Sequence, residues 1–409
     1  MAYTETEARR CRQDFPALAC DQIFLDGPAG TQVPRAVLDA IAWCYSTCNV
    51  NFHGLFSASR TADQLLHEIR ETVAAFLGAP SWREVSFGQN MTTLNFSLSH
   101  ALARAMRPGD EIVITQLDHE SNRGPWLNLQ ERGIVVREAP LRRDARLDEE
   151  ELARLVNERT RLIALGYASN AFGTVNDVPF ARRLADEVGA WLLVDAVHYA
   201  PHFPLDVAAL DPDFLLCSAY KFYAPHVGIL YTRPGLLDRL HTDKLRTQDD
   251  AAPYRIETGT LNLAALAGVK AGIEYIASWG EGETLRDRLL SARESIAAYE
   301  FGLGAHFYNH VKEIPGVHIW GPDFASHHRA PTVALTIEGM TPAQAAEQLG
   351  DAGIQVWDGH FYALRAMEVL GLAGKGGVLR TGISMYNTRE EIDRHLEEIA
   401  RIAGTPTRR

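Results

Sequence analysis

Lys221 lies in Ser218-Ala219-Tyr220-Lys221-Phe222-Tyr223, directly after the apolar run Phe214-Leu215-Leu216. An earlier run, Trp191-Leu192-Leu193-Val194, ends in Asp195, with His198 just beyond. Short apolar runs of this kind read as strands, so the lysine and the aspartate each stand at a strand end. A lysine amine can hold an aldehyde as a Schiff base. A carboxylate can keep a pyridine nitrogen protonated, so that the ring takes up electrons. That pairing suits pyridoxal phosphate. Taken singly, a surface lysine and a helix-capping aspartate account for the same residues, so the neighbouring clusters decide.

In open parallel sheets, ligands lie outside the carboxyl ends of the strands. Asn90, Met91 and Thr92, in Gly88-Gln89-Asn90-Met91-Thr92-Thr93, follow a strand and open a helix. Free N–H groups there can hold a phosphate, although an ordinary N-cap looks the same. His119, in Asp118-His119-Glu120-Ser121-Asn122, can lie over a flat ring or simply be solvated. Asn170, in Ser169-Asn170-Ala171-Phe172-Gly173-Thr174, can donate to a phenolate oxygen or form a turn. Ser218, Tyr220 and Thr260 are candidate phosphate donors. Arg380 precedes the apolar stretch Ile383-Ser384-Met385, where it suits bidentate capture of a carboxylate. A surface ion pair is the plainer explanation. Asn170, Asp195 and Lys221 fall at three successive strand ends of one expected sheet.

The elements that must position these residues alternate. Strands are expected at 85–87, 111–114, 134–136, 162–165, 191–194, 214–217 and 228–231. Helices are expected at 34–48, 63–77, 92–106, 122–132, 148–156 and 179–188. This pattern predicts an α/β fold with a mostly parallel sheet. The texture changes after Gly282. A long helix over 283–312, strands near 317–319, 332–335 and 354–357, and helices over 342–352 and 388–402 suggest a smaller α+β domain. The expected division is 21–282 for the large domain and 283–409 for the small one, with segment 1–20 packed on the latter.

A chain of 409 residues is too long for one small core. Its net charge of -12 argues against a polyanion partner. No apolar stretch reaches membrane-spanning length, and the N-terminus lacks an apolar signal core. A cytoplasmic protein without membrane or nucleic-acid partners is expected. Five cysteines without framework spacing fit a reducing compartment. Cys44 and Cys48 share a helix face but lack further ligands, so helix packing is preferred over zinc and no metal is expected. Gly371-Leu372-Ala373-Gly374-Lys375-Gly376-Gly377 has the wrong glycine spacing for a phosphate loop, and no Ser or Thr follows Lys375.

Together these motifs, with Val194-Asp195-Ala196-Val197-His198 and Glu257-Thr258-Gly259-Thr260-Leu261-Asn262, resemble the class V aminotransferase group of fold type I pyridoxal-phosphate enzymes. Within it, the cysteine desulfurase and selenocysteine lyase branch is the nearest in pattern. The resemblance runs from Phe24 to Ile402. It implies a seven-stranded, mostly parallel sheet between helices, and a homodimer. It implies that Lys221 carries the cofactor, Asp195 pairs with the pyridinium, and His119 stacks on the ring. Asn170 and His198 would lie near the ring hydroxyl. Thr260 would reach the neighbouring subunit's phosphate, and Arg380 would bind the substrate carboxylate. The family usually has Gln at the His198 position and His at the Tyr220 position.

One departure bears on the chemistry. Desulfurases carry a catalytic cysteine within a Gly-His-His-Cys-Ala stretch. The matching stretch here is Gly359-His360-Phe361-Tyr362-Ala363, and no cysteine follows Cys217. A phenol cannot accept sulfur as a thiolate does. Proton removal by Lys221 leaves several outcomes open, namely β-elimination as in a C–S or C–Se lyase, transamination, epimerisation, retro-aldol cleavage or oxidation. A non-catalytic regulatory relative is the alternative from another class. Tyr362, His360, Trp357, His53 and Phe56 are candidates for the substrate side, where an aromatic wall would favour a bulky side chain.

Overall fold

The computed structural model describes residues 2–404. In chain order its strands are β1 (Ile23–Phe24), β2 (Val85–Gly88), β3 (Glu111–Thr115), β4 (Val135–Ala139), β5 (Thr160–Gly166), β6 (Trp191–Asp195) and β7 (Phe214–Ser218). They continue as β8 (Gly228–Thr232), β9 (Val317–Trp320), β10 (Thr332–Ile337), β11 (Ile354–Gln355), β12 (Trp357–Gly359) and β13 (Val378–Gly382). A seven-stranded sheet has the order β2-β8-β7-β6-β5-β3-β4. Its pairings are parallel except those of β8, which runs antiparallel to both neighbours. The fold is α/β, as the alternating pattern predicts. The central strands β5, β6 and β7 are buried along almost their whole length, because helices cover both faces.

A four-stranded antiparallel sheet, β12-β13-β10-β9, carries the C-terminal elements. Two of their helices, Pro342–Asp351 and Arg389–Ala403, begin at capping boxes built on Thr341 with Gln344 and Thr388 with Glu391. The helix Leu285–Val311 joins the two lobes. Its Leu289, Ala292 and Ile296 enter the large core, and Leu303, Phe307 and Val311 enter the small one. The expected division at 21–282 is crossed at its start, since β1 pairs in parallel with β11. The N-terminal helix Glu5–Arg12 docks on C-terminal elements, with Arg12 paired to Glu391 at 2.7 Å.

Three expectations differ from the structure. Residues 122–132 form no single helix. The short helix Gly124–Leu127 stands between two 3-10 turns, because Pro125 and Gly133 interrupt regular hydrogen bonding. The helix Leu263–Ala277 has no counterpart in the sequence reading. It is apolar nearly all round and packs against the helices Arg35–Thr47 and Ser57–Leu77, so no stripe of period 3.6 marks it. Arg380 lies inside β13 rather than before a strand at 383–385. There β13 pairs on both sides, and the pleat puts Leu379 in the small core and Arg380 on the opposite face.

A buried ion pair braces the segment that carries Thr258 and Thr260. Arg70 meets Glu257 in a fork at 2.8 and 2.7 Å, and Glu257 also accepts the Phe87 N–H at 2.7 Å. Both side chains are almost wholly enclosed. Removing one partner strands a charge, at a cost of about 3–5 kcal/mol. Glu257→Gln is therefore expected to lower the thermal midpoint by about 5 °C or more. An unchanged calorimetric melt would show the pair to be dispensable.

Candidate active site

The carboxyl ends of β5, β6 and β7 open into one cavity of about 610 Å³, mouth included. Asp195 ends β6 and lines it. Its Oδ1 accepts the Val197 N–H at 3.0 Å. Burial raises the Asp195 carboxyl to about 6, against the pull of Val197 N–H and Lys221. Lys221 follows β7 in a 3-10 turn and is buried. Burial and the nearby Arg380 charge lower its amine to about 7, while Asp195 and Asp26 act the other way. Its Nζ donates to the Pro28 carbonyl and lies 5.0 Å from the Tyr220 ring centre. Lys221 thus sits at the cavity's edge, not among its lining residues.

The other candidates are placed as follows. Asn90 caps the helix Met91–Ala103 by accepting the Thr93 N–H at 2.9 Å. Asn90, Met91 and Thr92 line the cavity beside Ser218 and Tyr220, and the Met91 N–H points at Ser218 Oγ across 3.3 Å. His119 lines it too, with Nδ1 held by Ser121, and burial pushes its pKa down to about 4. Asn170 lines it while donating to the Phe361 carbonyl at 2.8 Å. His198 lines it, and its Nδ1 has no partner among the described residues.

Arg380 is buried behind this wall. Its Nη1 donates to the Asn170 carbonyl at 2.9 Å, and the guanidinium lies 4.0 Å from the Phe361 ring centre. Burial lowers its pKa to about 9, so it remains charged at neutral pH. Phe361 and Tyr362 both have left-handed backbone, at φ 51° and 59°. Their loop is tied down by Asn170 and by the Glu120 N–H, which donates to the Tyr362 carbonyl at 2.7 Å. The exposed Tyr362 ring stands 5.3 Å from His119, and 5.9 Å from the exposed His360. Thr260 lies in a separate cleft that shares Asn90. His53 is exposed, its backbone N–H bonded to Asp63, and does not reach the cavity of its own chain. Phe56 and Trp357 are exposed as well.

Sequence reasoning passed over several residues at the site. Asp118 lines the cavity as a second buried carboxylate, accepting the Gly166 N–H at 2.8 Å. Burial raises it to about 7, and Asp195 adds to the rise. Gly228 in β8 is a close approach. A Cβ there would collide with the Asn90 carbonyl and stand 2.8 Å from Met91 N. A glycine opening a strand is the signal that would have found it. Gly228→Ala is expected to displace the start of the helix Met91–Ala103 at a cost of about 1–3 kcal/mol. Phosphate-bearing ligands would then bind about tenfold or more weakly, which equilibrium dialysis of pyridoxal phosphate measures. Equal affinity would remove that helix start from the site.

An open, mostly parallel sheet with a lysine and an aspartate buried at adjacent strand ends is the architecture of fold type I pyridoxal-phosphate enzymes. Comparison with known proteins agrees. This chain belongs to the class V aminotransferase family, whose family model, Aminotransferase class-V, matches residues 23–395. It is 32% identical to a cysteine desulfurase of Pectobacterium carotovorum, over 97% of this chain and 98% of that protein. Among solved structures, the apo cysteine desulfurase of Thermococcus onnurineus superposes with a TM-score of 0.87 at 27% identity, covering 96% of this chain and 97% of that one. The cysteine desulfurase CsdA of Escherichia coli gives 0.83 at 26% identity, over 96% and 98%. The family's enzymes depend on pyridoxal phosphate, and this chain is an enzyme of that class.

Proposed function

We propose that this chain holds pyridoxal phosphate at Lys221 and catalyses β-elimination from an amino acid, without passing sulfur to a thiol of its own. The observation that carries this is a cavity lined by Asp195 and His119 and by no cysteine, with Lys221 buried close enough to feel the Asp195 charge. The orphaned His198 Nδ1 and the donors at Ser218, Tyr220 and the start of the helix Met91–Ala103 fit a phosphorylated ring with a hydroxyl. When bound, the cofactor supplies an electron sink for charge at the substrate α-carbon.

The residues divide the remaining work. Asp195 holds the pyridine nitrogen protonated. His119, which burial keeps neutral at physiological pH, would stack on the ring. Arg380, whose Nε has no partner among the described residues, would bind the substrate carboxylate once the Phe361 ring against it moves aside. Lys221, freed when the substrate amine takes its place on the cofactor aldehyde, would take the α-proton as general base with its amine tuned to about 7. The β-substituent then leaves with its bonding electrons. Water releases a keto acid and ammonia, and the leaving group is protonated. The described cysteines support the absence of a persulfide step. Cys217 is buried in β7 with its thiol pKa pushed up by burial, Cys11, Cys44 and Cys48 are in the core, and the exposed Cys20 is hydrogen-bonded to the Ala17 carbonyl and lines no part of the cavity. The position of Thr258 and Thr260 outside their own cavity supports a homodimer in which Thr260 reaches the partner's phosphate.

Amino acids bearing thiol, selenol or thioether substituents, supplied without an amino acceptor, are expected to yield a keto acid and the free leaving group by mass spectrometry. Product formation only with an added keto acid would mean transamination. Inversion at the α-carbon alone would mean epimerisation. Silence across the panel would leave a non-catalytic relative. Tyr362→Phe separates two roles for the phenol. As the acid that protonates the leaving group, it contributes about 10²-fold to kcat, whereas a mere wall leaves kcat unchanged.

A further inference from the structure

Thr332 stands on β10 of the small sheet, fully buried, yet its hydroxyl reaches the large lobe. Oγ1 lies 3.0 Å from His198 Nε2, and no other partner of that hydroxyl exists among the described residues. On the far side of the ring, His198 Nδ1 is buried and unpartnered. A neutral imidazole carries one N–H, and the hydrogen bond at one nitrogen decides which. Burial pushes the His198 pKa down, and His202, Lys221 and Arg380 act in the same direction, so the ring is neutral. His202 is itself engaged with Glu300 at 2.7 Å, its ring edge-on to His198 at 5.3 Å.

The two tautomers are not equivalent here. With the proton on Nε2, the imidazole would donate to Thr332 and leave the hydroxyl proton without an acceptor. The cavity would then present a bare nitrogen lone pair. With the proton on Nδ1, the Thr332 hydroxyl donates to Nε2, and the cavity presents a fixed N–H. With an acceptor oxygen bound at Nδ1, the second arrangement meets both protons, whereas the first leaves the hydroxyl proton unmet, so with that ligand in place the second arrangement wins.

We infer that Thr332 is a positioning residue: its hydroxyl fixes the Nδ1–H tautomer of His198, so that the small sheet prepares the donor that holds the cofactor's ring oxygen in its deprotonated form. The inference rests on pyridoxal phosphate occupying the cavity. It also ties the seating of β10 to the electronic state of the cofactor.

Nitrogen-15 shifts of His198 in the reconstituted protein, assigned by their loss in His198→Gln, test the tautomer. A protonated Nδ1 and bare Nε2 are expected, and the reverse overturns the inference. In reconstituted protein, Thr332→Val is expected to raise the pH midpoint of the visible spectrum by about one unit. Thr332→Ser should restore it, and His198→Phe should shift it the same way. A wild-type midpoint in Thr332→Val, with the visible band intact, overturns the inference while leaving the cofactor reading in place. No visible band in the wild type overturns the cofactor reading and the inference together. If Thr332→Val does not fold, the shifts in the native chain decide.

Discussion

Lys221→Ala is expected to abolish the visible band of the reconstituted protein and to cut turnover by about 10³–10⁴-fold, since one residue supplies both the attachment point and the base. Pyridoxal phosphate should still enter the cavity, because Ser218, Tyr220 and the start of the helix Met91–Ala103 remain. Dialysis would then remove it readily. The lowered amine gives this prediction a pH signature. Only the neutral amine attacks an aldehyde, and burial with the Arg380 charge favours the neutral form. Capture of cofactor by the wild-type apoprotein should therefore accelerate as pH rises through about 7 and level off above it. An exposed lysine would go on accelerating to about pH 10. Full activity in Lys221→Ala, or a capture rate still climbing at high pH, would remove Lys221 from its role.

Asp195→Asn separates attachment from electron withdrawal. The variant keeps Lys221, so the visible band should form. What it loses is the buried negative charge that keeps a ring nitrogen protonated. Breaking a buried charge pair costs about 3–5 kcal/mol, and if about 3 kcal/mol of that falls on the transition state, kcat drops by roughly 10²-fold. Asp118 is the one neighbouring carboxylate in the cavity that can compensate, and burial with Asp195 raises it to about 7. A double variant with Asp118→Asn should therefore fall further than Asp195→Asn alone. If Asp195→Asn retains kcat within about threefold, the electron-sink role does not lie with this carboxylate.

Much of the site was legible in the chain. Asn170, Asp195 and Lys221 were placed at successive strand ends from short apolar runs alone, and β5, β6 and β7 are neighbours in that order. The same runs announced an α/β fold, because strands buried on both faces are apolar throughout. The helix Leu263–Ala277 escaped, since a helix surrounded by protein has no polar face to reveal its period. Arg380 was found in the chain but not in its element, because the leucine beside it belongs to another face of β13. Thr332 and Gly228 gave no chemical signal, since each matters only through what it touches.

By itself, then, the sequence determined that Asn170, Asp195 and Lys221 stand at or just beyond strand ends, and that no cysteine follows Cys217. Those features are local, set by neighbours along the chain. The tertiary structure alone decided the rest. It buried the Lys221 amine beside Arg380 and Asp195, seated Phe361 over Arg380, and brought Thr332 to His198 across 134 positions of chain. Protonation and tautomer follow from burial and from partners remote in sequence, which no local pattern encodes.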